Sequence, residues 1–310
     1  MGRIAMMYLE EHRVRELLRW DDLIAAMEPA LAAFSAGRVV QPVRSVLTIE
    51  ENARFLGVMP AATPDVMGAK IVAFYPANEG TEYPTHDGSI LLLDTRTGRP
   101  LVAMDARLIT EMRTAAVSAA VTKRLMPPGS RVLGLLGSGV QAQSHVEALS
   151  RVAEFDEIRV WSRNAEHAER FATQHGARAT SAQNAVTGAD VVVVATSARE
   201  PVLEGSWLKP GAHVNSVGAN RFNWRELDDA VMCNTIVVDS REAALQESGD
   251  VIGSKAQIYA EAGELFAGTI ALPPPSATTV FKSMGLAVED IATAKLVYDA
   301  FTSTVSAGTE

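Results

Sequence analysis

The sequence predicts an α/β protein in which a domain built on a parallel sheet is joined to a mixed α+β domain. Three observations predict it. Beyond Arg131 apolar strand candidates alternate with helical segments, the grammar of repeated βα units with right-handed crossovers. Before about residue 120 the pattern is short alternating strands with two helices. Between the two regimes, Pro127-Pro128-Gly129 stops a long Ala-rich helix and marks the best candidate boundary, since a ring without an N–H does not continue a helix.

Residues 20–36 place Leu23, Ala26, Met27, Ala30, Leu31 and Phe34 at helical period. Strands are expected at 43–49, 67–74, 89–94 and 100–104, with a turn from Thr95 to Gly98, and a helix over 106–126. The parallel sheet should use 131–137, 157–162, 190–195, 212–217 and 235–239, four of them rich in Val or Leu, as strands buried on both faces are. Helices fit at 141–151 and 164–175. A last helix at 286–301 is expected to pack back on the first domain, making it discontinuous. The expected division is 1–120 with 288–310 for substrate binding and dimerisation, and 121–287 for the parallel-sheet domain.

A formal net charge of −9 argues against nucleic acid or an anionic membrane as principal partner. The single cysteine, Cys233, excludes an internal disulfide and a CxxC metal or redox pair, and is expected to be a buried thiol beside a strand. The N-terminal residues lack the apolar core of a signal peptide, and no window is long and apolar enough to span a membrane. A cytoplasmic location is expected.

Gly137-Ser138-Gly139-Val140-Gln141-Ala142 is a GxGxxA fingerprint between a strand and a helix. Gly137 allows the tight turn, Gly139 the approach of a pyrophosphate, and Ala142 close packing of helix on sheet. The helix N-terminus supplies N–H groups and positive dipole. This context makes the second domain Rossmann-type and dinucleotide-binding. NAD-specific sites carry Asp or Glu at the end of the next strand. Here Ser162 and Arg163 stand instead, suited to a 2′-phosphate. NADP(H) is therefore expected, with NAD(H) left open.

Lys70 interrupts the apolar run 66–74, Arg113 the Ala-rich helix and Arg44 the strand 43–49. A buried cation is costly without a negative partner. If the three converge they form a receptor for a carboxylate, with Lys70 a candidate proton donor. His86, expected on a loop before a strand, is a competing acid/base. H-E-x-x-H and G-x-S-x-G patterns are missing, so zincin and elbow-type serine hydrolysis have no support.

Taken in order, Gly68-Ala69-Lys70-Ile71, Pro84-Thr85-His86, Asp105 through Arg113-Thr114-Ala115-Ala116, Gly137 through Gln141, Ser216 through Asn220 and Thr279 through Gly285 resemble the ornithine cyclodeaminase/mu-crystallin family over nearly the whole chain. The resemblance implies a homodimer whose first domain handles substrate and self-association. It implies that Arg44, Lys70 and Arg113 hold the substrate carboxylate, with Lys70 and Arg113 catalytic. His86, Asn220 and Met284 complete the expected substrate set. Thr85, Gly137, Gly139, Val140, Gln141, Ser162, Arg163, Thr196, Val217, Gly218 and Ser283 are the expected cofactor residues, and no metal is expected.

One departure carries weight. Cyclodeaminases of the family have an Asp acid/base where this chain has Asn220, and an amide does not accept and return that proton. Trp224-Arg225-Glu226-Leu227 resembles the mu-crystallin and imine-reductase side. The expected reaction is NADPH-dependent reduction of a carboxylate-bearing imine to an amino acid. The imine is a cyclic ketimine such as Δ1-pyrroline-2-carboxylate or Δ1-piperideine-2-carboxylate, or a linear α-imino acid. Ornithine or lysine cyclodeamination, an alanine-type dehydrogenase, and a non-catalytic NADP-dependent binding protein are the alternatives.

Overall fold

The computed structural model describes residues 6–51 and 53–307. The chain divides into two compact units, Met1–Arg113 with Leu286–Glu310, and Thr114–Gly285. The division falls inside a helix, ahead of the Pro127–Gly129 stop. The first five residues of the stretch read for a leader, and 308–310 of the terminal segment, lie outside the described residues.

In the first unit the order is β1 (Tyr8–Leu9), α1 (Glu11–Leu17), α2 (Trp20–Ser35), β2 (Ser45–Glu50), β3 (Arg54–Ala62), β4 (Met67–Phe74), β5 (His86–Leu93), β6 (Pro100–Asp105) and the start of α3 (Arg107–Leu125). The strands form one mixed sheet, β1-β6-β5-β4-β3-β2, antiparallel except where β1 runs with β6. The amphipathic α2 buries Leu23, Ile24, Met27 and Leu31. The turn after β5 is closed by Asp94, whose carboxylate accepts the Thr97 N–H and hydroxyl, with Gly98 at φ 70°.

Strand β3 was not among the expected strands, and it carries Gly57 and Pro60, residues that seldom sit inside strands. Its alternating burial is nevertheless regular, and β2 begins with Ser45 opposite Val58, so Pro60 lies past that partner. His86 opens β5 and is not on the preceding loop.

The second unit holds the rest of α3, then β7 (Val132–Leu136), α4 (Val140–Leu149), β8 (Glu157–Trp161), α5 (Ala165–His175), β9 (Arg178–Ala179), α6 (Ala182–Val186) and β10 (Val191–Val194). It continues with β11 (His213–Ser216), α7 (Asp229–Met232), β12 (Thr235–Val238), α8 (Arg241–Glu247), α9 (Gly249–Ser254), β13 (Ile258–Glu261), α10 (Ala262–Ala267) and β14 (Thr279–Lys282). All eight strands run parallel in the order β13-β12-β14-β11-β10-β7-β8-β9. The four valines of β10 are fully buried, as a central parallel strand requires. Sequence order reverses at β7, so the crevice beyond the C-terminal ends of β7 and β10 is the topological switch point where dinucleotides bind.

Strand β14 is the main surprise. It inserts between β11 and β12 with all four residues buried. Cys233 corrects another expectation: it caps the C-terminal end of α7 and is exposed, not buried. The final helix, α11 (Ala287–Ala307), belongs to the first unit, where it packs on α2 and on β3 to β5.

Candidate active site

The first unit brings the three singled-out cations together. Lys70 on β4 is 2% exposed and Arg113 on α3 is 5% exposed. Burial pushes Lys70 down to about 8; Asp290 opposes the shift, while the positive charges of Arg113 and Arg44 add to it. Arg44 therefore lies within electrostatic reach of Lys70. What makes this burial tolerable is an acidic pair in the first turn of α11. Asp290 lies 2.7 Å from Lys70 Nζ and accepts Arg113 Nε–H at 2.9 Å. Glu289 accepts from Arg113 Nη1 at 2.7 Å. Both acids are fully buried.

Lys70 and Arg113 thus share two buried carboxylates, with a third cation, Arg44, within electrostatic reach. Thr110, within 3.4 Å of Lys70 Nζ, adds a hydroxyl. His86 is not part of the cluster. The register pairs it with Phe74 and pairs Lys70 with Ile90, which separates them by about 13 Å along the strands. Its ring packs on Phe74 at 4.4 Å, and its Nδ1 is 3.3 Å from Thr85 Oγ1.

The second unit carries the expected cradle. Gly137 has φ 115°, and a Cβ there would overlap the Ala195 carbonyl oxygen, so glycine is required. Gly139 is the N-cap of α4, has no side chain to cap it, and its Cβ position is open. Open space before an uncapped helix N-terminus fits a pyrophosphate. Val140 is half exposed there, and Ala142 is buried under the helix. At the end of β8, Ser162 is half-buried and Arg163 exposed, and Asn164 caps α5.

The sequence matches the ornithine cyclodeaminase/mu-crystallin family over residues 5–305. The chain belongs to this family. It is similar to the ketimine reductase mu-crystallin of Mus musculus, 51% identical over 307 residues that cover 96% of this chain and 97% of the relative. Among solved structures it is similar to the Thermococcus litoralis Δ1-pyrroline-2-carboxylate reductase in complex with NADH and L-proline. The TM-score is 0.91 at 35% identity, covering 96% of this chain and 98% of that one. It is also similar to an archaeal alanine dehydrogenase dimer with bound NAD, at TM-score 0.90 and 31% identity, covering 96% and 97%.

The other residues carried over from the family motifs are placed as follows. Thr196, Val217 and Gly218 follow β10 and β11 at the C-terminal edge of the sheet. Ser283 donates to Asp239 at 3.1 Å and is buried. Thr85 alone of the cofactor candidates lies in the first unit. Asn220 is exposed on the loop after β11. Met284 is buried, with its side chain in the second unit's hydrophobic core.

Several residues escaped the sequence reading. Glu289 and Asp290 had a signal, two acids inside the apolar stretch 286–292, the mirror of the argument for Lys70. Asp239 accepts the Met284 and Gly285 N–H groups at 2.6 and 2.7 Å and so shapes the turn leading into α11. Glu226, Asp250 and Lys282, all fully buried, form a second charged group, with Lys282 Nζ 3.0 Å from Asp250. Nothing in the spacing announces it.

Proposed function

We propose that the protein reduces a C=N bond adjacent to a carboxylate, with a nicotinamide dinucleotide as hydride donor. The observation that carries the proposal is the buried Lys70–Arg113 pair, held by Asp290 and Glu289 with Arg44 within electrostatic reach. A substrate carboxylate would form charge-assisted hydrogen bonds to this basic group. Arg44 and Arg113 hold the carboxylate and fix the imine in one orientation. Lys70, lowered to about 8, is still mostly protonated at neutral pH yet gives up a proton readily. It supplies the proton the imine nitrogen needs. The dinucleotide, when bound, supplies the hydride that the imine carbon accepts. Gly137 and Gly139 admit its pyrophosphate to the N–H groups of α4.

Cyclic ketimines and linear α-imino acids are the proposed substrates. The reductase named for Δ1-pyrroline-2-carboxylate, solved with proline, supports this, since proline is that imine reduced. NADPH is the preferred donor: β8 is followed by Ser162 and Arg163 with no carboxylate among residues 161–165. Cyclodeamination is disfavoured by Asn220.

A homodimer and a cytoplasmic location belong to the same proposal. Leu47, Leu56, Val58, Ile71 and Leu91 share one sheet face by register. Leu47 and Ile71 remain 62% and 48% exposed on it, an apolar face suited to a second copy. The archaeal relative described as a dimer supports that occupant. An exposed free thiol at Cys233 suits a reducing compartment.

The test is oxidation of NADPH and NADH at 340 nm with Δ1-piperideine-2-carboxylate, Δ1-pyrroline-2-carboxylate and mixtures of pyruvate, glyoxylate or oxaloacetate with ammonia or methylamine. Turnover, faster with NADPH, is expected. Cofactor binding without oxidation of any of them would overturn the reading.

A further inference from the structure

The carboxylate of Glu226 is saturated by donors from two segments at the edge of the parallel sheet. Its Oε1 accepts the Thr196 N–H at 2.8 Å and the Thr196 hydroxyl at 2.7 Å. Its Oε2 accepts the Ser216 hydroxyl at 3.1 Å and the N–H groups of Gly218 and Ala219 at 2.8 and 3.0 Å. Lys282 secures it from behind, 3.7 Å from Glu226, 3.0 Å from Asp250 and donating to Ser216 at 3.1 Å. Asp250 in turn accepts the Glu226 N–H at 2.9 Å. A Cβ on Gly218 would overlap both Thr196 and the Glu226 carboxylate. The loops after β10 and β11 are thus pinned to one buried anion.

This arrangement fixes the polarity of the Thr196 hydroxyl. Thr196 Oγ1 spends its only proton on Glu226 and accepts the Ala198 N–H at 3.2 Å. Thr196 is only half-buried. A hydroxyl has two lone pairs, so toward a ligand it is an acceptor and not a donor. The adenosine half of a dinucleotide lies on the side of β8, where Ser162 and Arg163 stand. The other half lies over the ends of β10 and β11, beside Thr196. A ribose hydroxyl adapts to either polarity. The carboxamide NH2 of nicotinamide is donor-only, and it is the group for which an acceptor-only hydroxyl discriminates.

We infer that Glu226 is a positioning residue that holds the Thr196 hydroxyl as an obligate acceptor for the carboxamide NH2 of the cofactor. The inference rests on the dinucleotide reading of this unit, and its test separates the two.

Kd values are measured by fluorescence titration for NADPH and for its reduced 3-acetylpyridine analogue, which keeps the carbonyl and lacks the NH2. They are measured in wild type, Thr196→Val, Thr196→Ser and Glu226→Gln. Wild type should prefer NADPH by about three- to tenfold, the worth of one hydrogen bond. Thr196→Val should lose that preference by weakening NADPH alone, and Thr196→Ser should keep it. Glu226→Gln offers an amide donor that turns the Thr196 hydroxyl round, and should also lose the preference. Equal binding of the two ligands by wild type, or equal weakening of both by Thr196→Val, would overturn the inference. Binding of 2′-phospho-ADP-ribose, which lacks the ring, reports on the dinucleotide site itself. Its failure to bind wild type would remove the dinucleotide reading instead.

Discussion

Lys70 Nζ stands 2.7 Å from the Asp290 carboxylate, and that carboxylate also accepts from Arg113 Nε at 2.9 Å. One acid thus serves two cations from different elements, β4 and α3, and fixes their spacing. Glu289, one residue earlier on α11, takes the other end of the Arg113 fork. Arg113 is thereby fixed in orientation before any substrate arrives, which is how binding geometry becomes rate.

The proposed role of Lys70 as proton donor predicts a pH dependence. Burial holds it down at about 8 from an ordinary 10.5. As proton donor it should lose activity as pH rises through about 8, so kcat for imine reduction should fall on that limb. Stability runs the other way. The unfolded chain binds more protons than the folded one between about 8 and 10.5, so the folded state gains stability as pH rises through that window. Against Lys70→Met, wild type should gain relative stability from pH 8 to 10 in urea titrations. A flat difference would show that folding does not lower the Lys70 pKa.

Asp290→Asn removes the group that keeps Lys70 protonated. The alkaline limb of kcat should move to lower pH. Breaking a buried ion pair at one partner costs about 3–5 kcal/mol, so the urea midpoint should fall as well. A drop in stability with an unmoved limb would make Asp290 structural only.

How much of this was legible follows from how each residue is recognised. Lys70 and Arg113 show in the sequence because a charge inside an apolar run violates a local pattern. Their partners do not show, because pairing Arg113 with Glu289 joins residues 176 positions apart. The glycine loop was readable because its geometry is local, a strand, a turn at Gly137 and a helix. Glu226 was not, because four of its five donors, the Thr196 N–H and hydroxyl and the Gly218 and Ala219 N–H groups, belong to loops whose course only the fold sets. Strand β14 escaped because four residues, two of them Thr279 and Lys282, are too few to show a period.

The two glycines of the loop should separate folding from binding. Gly139→Ala meets open space at an ordinary φ of −84°. It should cost under about 1 kcal/mol of stability while weakening NADPH at least tenfold, through the Cβ in the pyrophosphate approach. Gly137→Ala puts a Cβ into the Ala195 carbonyl at φ 115°, and should lose both thermal stability and binding. Calorimetry with cofactor titration distinguishes them, and equal loss of stability by both would contradict the geometry.

Ile71 offers the simplest probe of assembly. It is 48% exposed beside Val58 on the open sheet face, and a charge there is incompatible with an apolar interface. Ile71→Glu should run as a monomer in light scattering where wild type runs as a dimer, with little change in far-UV circular dichroism. A dimeric variant would place self-association elsewhere.

Arg163 is the test of the proposed cofactor preference. It is exposed just past β8, and under the proposed function it meets a 2′-phosphate without the cost of burial. Charge-assisted hydrogen bonds to phosphate are worth about 1.5–3 kcal/mol, or about ten- to a hundredfold in Kd. Arg163→Ala should weaken NADPH by that factor and leave NADH within about twofold, because NADH has no group for the lost side chain to meet. Substituting Asp should go further, repelling the phosphate and accepting from a free ribose hydroxyl, so that NADH becomes the tighter ligand. If Arg163→Ala weakens both dinucleotides alike, the side chain supports the loop without reading the phosphate. Preference for NADPH would then have to come from Ser162 and the backbone at the start of α5.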